Sequence, residues 1–145
     1  MSSPLPSFRR AARALWWAFV LIGSAIGFRP ALADDPMVEL SIDNSSHQAL
    51  RCMILFGHWI TRDLPTIEPG ASAKIVIWRG EPLGALYIPR ADGRKMMIEN
   101  VLCGGTVDWS ESRDQIPLLP IRNSKANRFN TVCKTESRVR CSEPK

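Results

Sequence analysis

Four cysteines constrain this chain more than any other feature: Cys52, Cys103, Cys133 and Cys141. None belongs to a Cys-x-x-Cys pair, so neither a zinc knuckle nor a thioredoxin-type redox site is indicated. An even set in a short exported chain reads as two disulfides. The sequence leaves the alternative pairings open. The preferred reading joins Cys133 to Cys141 as a local clasp and Cys52 to Cys103 as a long-range bridge across the core. Each bond would add about 2–4 kcal/mol, chiefly by restricting the unfolded chain.

Disulfides need an oxidising compartment, and the N-terminus supplies a route to one. Arg9, Arg10 and Arg13 form a positive stretch without acidic residues, and Ala14 to Phe28 is uncharged and mostly apolar. Ala31-Leu32-Ala33 then places small residues where a signal peptidase reads them. The apolar run is short for a bilayer span, which takes about 20 residues. Residues 1–33 therefore read as a signal peptide cleaved after Ala33, with an uncleaved anchor as the alternative. Arg9-Arg10 lacks the following apolar pair of a twin-arginine signal, so ordinary unfolded export is expected. The remaining stretch, 34–145, has the length of a single domain located in the periplasm or outside the cell.

Removing that leader changes the electrostatics. Four of the 19 basic residues precede Asp34 and none of the 14 acidic ones does, so the net charge falls from +5 to +1. The high isoelectric point is then no argument for nucleic-acid binding, and no nucleic-acid partner is expected. The residual charge is uneven, with a mildly acidic stretch up to Ile121 and a basic segment, 122–145, holding Arg122, Lys125, Arg128, Lys134, Arg138, Arg140 and Lys145. Such a segment either folds back on the acidic body, forms a solvated edge or meets a partner.

The apolar pattern is β throughout. Val38, Leu40 and Ile42 alternate with polar residues as a half-buried strand. Leu50 to Phe56 reads as a central strand covered on both faces, and His58 to Thr61 as the start of a return strand. Ala73–Trp78, Leu86–Pro89 and Lys95–Cys103 are further strands, separated by turn signals at Glu68-Pro69-Gly70 and Asp92-Gly93. Gly104-Gly105 breaks the chain and Asp108 to Gln115 is a polar loop. Ile116 to Ile121, with Pro117 and Pro120, is extended at best. Phe129–Cys133 and Val139–Cys141 form a last hairpin. No long stretch carries a helical stripe, so the expected fold is all-β: a small disulfide-stabilised β-sandwich, immunoglobulin-like in the loose sense, or a small barrel.

Constellations for catalysis are missing. No Gly-x-Ser-x-Gly elbow or phosphate-cradling loop occurs, nor any Cys-x-x-Cys-His haem attachment. His47 and His58 lack acidic residues at ligand spacing; a copper or nickel site built from them, with Met53, is one metal reading, and calcium at the acidic loop is the other. Asp108, Glu111 and Asp114 do not follow the spacing of a calcium loop. Among Trp59, Trp78 and Trp109, the last sits between Asp108 and Ser110 and is the expected exposed contact residue, with an inward fold that caps the sandwich as the alternative.

The chain is therefore expected to be a non-enzymatic binding or accessory protein without a cofactor. It would engage a protein partner in the cell envelope through the Asp108–Asp114 loop and Trp109. Arg122, Lys125, Arg128, Arg138 and Arg140 would steer the encounter. Membrane contact would be only peripheral, through the basic segment. The alternatives are an inhibitor of an exported hydrolase, of lysozyme or protease type, and a metal-binding or enzymatic domain using His47 and His58.

Overall fold

A computed structural model describes residues 35–81 and 83–145. The expected signal peptide and its cleavage site lie outside the described residues. The strands are β1 (Met37–Asn44), β2 (Leu50–Phe56), β3 (Thr61–Asp63), β4 (Ser72–Gly80), β5 (Ala85–Pro89), β6 (Lys95–Gly105), β7 (Asp114–Gln115), β8 (Arg128–Thr135) and β9 (Val139–Cys141). Two short helices, α1 (Trp109–Ser112) and α2 (Leu119–Asn123), lie between β6 and β8. None of the described helices is long and apolar enough to cross a membrane.

The strands join into one open sheet in the order β3-β2-β6-β5-β4-β1-β8-β9, with β7 on β6. A closed barrel is not formed, since β3 and β9 end the sheet without pairing to each other. All pairings are antiparallel except β1 with β8. That exception places the start of the basic segment inside the sheet, beside β1, rather than on a tail.

Period-two alternation builds the core. Val38, Leu40 and Ile42 of β1 point inward with Ile75 and Ile77 of β4, Phe129 of β8 and Val139 of β9. β2 alternates in the same way, with Leu50, Cys52, Ile54 and Phe56 buried and Arg51 exposed, so it is not covered on both faces. The long strand β6 turns the sheet. Its first residues pair with β5, and from Ile98 onward it pairs with β2. The register slips beside Leu55 and Phe56, and the Asn100 side chain accepts a hydrogen bond from Val101 N at 2.9 Å. Such a bulge bends and twists a strand, which lets one strand serve two parts of a folded sheet.

Both disulfides, Cys52–Cys103 and Cys133–Cys141, are the pairs preferred from the sequence. The first does not cross the core. Cys52 and Cys103 are directly opposed on neighbouring strands β2 and β6, as Cys133 and Cys141 are on β8 and β9. A Cα separation of 4.1 Å in each suits the close, non-hydrogen-bonded pairs of an antiparallel ladder.

The stretch from Asp108 to Ile121 departs most from expectation. Instead of a polar loop and an extended segment, it holds α1, β7 and α2, with Ile116, Leu118 and Ile121 buried in the core. Pro120 sits in the first turn of α2, where its missing N–H costs nothing. Gly104-Gly105 is not a break either, because β6 runs through both residues. A Cβ on Gly104 would lie 2.9 Å from Trp109 Cδ1 and 3.1 Å from Arg113 Cα. The missing side chain is what lets α1 rest on the strand.

Candidate functional site

Trp59 is the most exposed tryptophan among the described residues. β2 ends at the buried Phe56 and β3 begins at Thr61, so the connection is short, and Phe56 N donates to Ile60 O at 2.8 Å to close it. The expected return strand therefore starts only at Thr61, after a tight turn. His58 and Trp59 both adopt φ of 62°. Consecutive left-handed residues suit the twist of hairpin turns but favour Asn and Gly, and an ordinary L-residue loses roughly 1–2 kcal/mol there. The turn projects Trp59 outward at 87% exposure, and Ile60 beside it is 51% exposed. Arg62 lies over the Phe56 ring at 5.4 Å, and the Glu99 carboxylate is close to Gly57. The tip is an apolar anchor with charges of both signs near its base.

Trp109, expected to be exposed, is instead half-buried. Its Nε1 donates to Arg51 O at 3.0 Å, and the guanidinium groups of Arg51 and Arg113 lie 5.4 Å and 5.0 Å from its ring. Arg51 is itself held by two hydrogen bonds to the Asp63 carboxylate. The helix, β2 and β3 thus share one ring as a packing element.

The basic segment divides in two. Arg122 is half-buried and donates to Ile98 O at 3.0 Å, which makes it a brace rather than a steering group. Lys125, Arg128, Lys134, Arg138 and Arg140 are exposed, and none forms an ion pair among the described residues. The segment's charge is therefore not neutralised by the acidic body. Lys134 and Arg140 are directly opposed on β8 and β9, an arrangement of like charges that weakens a strand pair. They line an open groove of about 430 Å³ with Val132, Glu136, Cys141 and Ser142. The acidic stretch does meet this segment: Asp114 Oδ2 accepts from Cys141 N at 3.0 Å. Asp108 and Glu111 remain exposed nearby in sequence.

The histidines do not come together. His47 lies in the corner before β2 and His58 in the turn after it, so a seven-residue strand, about 20 Å long, separates them. Among the described residues, the one group of potential metal ligands is Cys103, Cys133 and Cys141, all of them in disulfides.

Two polar arrangements had no signal in the sequence. Arg79 is only 3% exposed and donates to Ile121 O and Ala126 O, at 3.1 and 3.0 Å. It ties α2 and the approach to β8 to the inner face of β4. On the outer face, Asp35 Oδ2 accepts from Lys95 Nζ at 2.6 Å and from Tyr87 OH at 2.7 Å. The Lys95 hydrogen bond, then that of Tyr87, lowers the Asp35 pKa, and the same bond raises that of Lys95. Burial, then the Asp35 hydrogen bond, raises that of Tyr87. Cross-strand register extends this group into a row of Met37, Trp78, Tyr87 and Met97, with the Trp78 and Tyr87 rings stacked.

No family model matches the chain, and no curated protein matches it. Among solved structures it is similar to the NMR structure of a protein from Eubacterium rectale. The two share 9% identity over 75% of this chain and 89% of that one, with a TM-score of 0.43.

Proposed function

We propose that this is an exported, non-enzymatic binding or accessory protein that engages a protein partner in the cell envelope. Trp59 is its anchor, and the exposed cations of β8 and β9 steer the approach. The observation that carries this reading is the 87% exposure of Trp59 on a turn whose backbone disfavours ordinary residues. Strain is retained where it serves a purpose, and tryptophan is enriched among the residues that dominate binding energy. Arg62 and Glu99 give the tip a rim of mixed sign, which suits a protein pocket better than an anionic lipid surface. Arg138 and Arg140, without an ion pair among the described residues, suit an acidic partner. Two disulfides in so short a chain are consistent with an oxidising, exported location. The folding of β9 against β6 and β7 supports reading the open sheet as sandwich-like.

Native mass spectrometry of the protein recovered from its own host tests this reading. The expected result is a chain beginning at Asp34 in a complex of fixed stoichiometry. Reversing charge at Arg138 and Arg140 should then slow association and flatten its salt dependence. A chain found alone, or one whose association rate ignores both substitutions, counts against the proposal.

The same turn favours a second reading, an inhibitor of an exported hydrolase. A pre-shaped hairpin loses little entropy on entering a cleft. Lysozyme and protease assays with micromolar protein decide it: inhibition that disappears in Trp59→Ala supports the reading, and unaffected enzymes overturn it.

A further inference from the structure

The two disulfides lie next to each other. The Sγ atoms of Cys103, Cys133 and Cys141 are all within 4.8 Å of one another. Asp114 holds the two pairs in place: its backbone is registered with Cys103 in the β6–β7 ladder, and its carboxylate accepts from Cys141 N. Cys52, Cys103 and Cys133 are fully buried, whereas Cys141 is half-exposed on the three-residue strand β9. Cys141 is also among the residues lining the groove that carries Lys134 and Arg140.

From this geometry we propose that Cys141, Cys133 and Cys103 form a thiol–disulfide exchange relay, opened at Cys141 by an external dithiol. The dithiol's thiolate attacks Cys141 Sγ, forming a mixed disulfide and releasing Cys133 as a thiolate. Cys133 Sγ then attacks Cys103 Sγ, forming a Cys103–Cys133 bond and releasing Cys52 as a thiolate, which takes a proton from water. The second thiol of the reductant resolves the mixed disulfide. It leaves as a cyclic or protein-borne disulfide and frees Cys141 as a thiol. Two electrons pass from the dithiol to the protein, and one of the two protein disulfides is lost. The reducing equivalents that enter at β9 emerge on β2, the strand that leads into the Trp59 turn. The relay stands independently of any partner bound by that turn.

Limited reduction tests it. The fully oxidised protein is treated at pH 8 with dithiothreitol below the amount needed for full reduction, quenched with N-ethylmaleimide and digested without reduction. Peptide mass mapping should show Cys52 and Cys141 labelled and a Cys103–Cys133 cross-link, ahead of any fully reduced chain. Labels confined to Cys133 and Cys141, with Cys52–Cys103 intact, would overturn the relay. Labels on Cys52 and Cys133 with a Cys103–Cys141 cross-link would overturn Cys141 as the entry point. Cys141→Ser gives a second reading without reductant: Cys133 should be found bonded to Cys103 with Cys52 free. A persistent Cys52–Cys103 bond beside a free Cys133 contradicts the proposal.

Discussion

Trp59 and Trp109 invert what their neighbours in the sequence indicate. Trp109 stands among Asp108, Ser110 and Glu111, yet two guanidinium groups and a backbone carbonyl hold it in place. Trp59 stands next to Ile60 and close to Phe56, yet its ring meets solvent. The difference comes from the backbone beneath each ring. Under Trp109, Gly104 leaves room for α1 to settle on β6. Under Trp59, two left-handed residues turn the chain so sharply that the ring has nothing to rest on. The polarity of a tryptophan's sequence neighbours therefore predicts its exposure poorly when a tight turn or a close helix–strand approach sets its direction.

The strongest way to break this contrast is Gly104→Val. Its side chain would collide with Trp109 and with the Arg113 backbone, and overpacking of this kind costs about 3 kcal/mol. A clear fall in the urea midpoint is expected; an unchanged midpoint would show that α1 does not rest on β6. Trp109→Ala should cost about 2 kcal/mol in the same measurement, less than a fully buried tryptophan, because the ring is half-buried. His58→Gly should raise stability by up to about 1 kcal/mol, since glycine takes the left-handed conformation without steric cost. Lower stability in that variant would mean that the histidine side chain supports the turn. Trp59→Ala should change stability by no more than about 0.5 kcal/mol, the range for surface positions.

The smallest expected effect is a pH dependence. Hydrogen bonds from Lys95 and Tyr87 to Asp35, and from Ser72 and Asn130 to Asp43, lower both carboxyl pKa values on folding. Each carboxylate therefore adds stability that is fully present above the unfolded carboxylate range. That stability is lost as the pH falls below about 4 toward the folded values. Asp35→Asn should flatten this part of the stability profile, and an unaltered profile would separate Asp35 from it.

The sequence made the strands legible where alternation met an unambiguous turn. Gly70 and Gly93 adopt the positive φ that their turns need, and β1 and β4 alternate as read. It hid α2, because Pro120 breaks a helix interior but suits a first turn, and only the tertiary context decides which role applies. It hid the basic segment's place in the sheet, because the parallel pairing of β8 with β1 joins residues far apart in the chain. Arg79 was hidden for the same reason: the carbonyls that satisfy it come from Ile121 and Ala126, and no local pattern announces them. Of the candidate contact residues, Lys125, Arg128, Arg138 and Arg140 stay exposed, whereas Trp109 and Arg122 are taken up by the fold.

The most direct test of the account is co-purification from the native host with three forms side by side: wild type, Trp59→Ala and Trp109→Phe. The account predicts a stoichiometric partner with wild type and Trp109→Phe, and a loss of roughly 30-fold or more in affinity with Trp59→Ala, as befits an anchoring residue. A complex that survives Trp59→Ala but fails with a folded Trp109→Phe would contradict it and return the contact surface to α1.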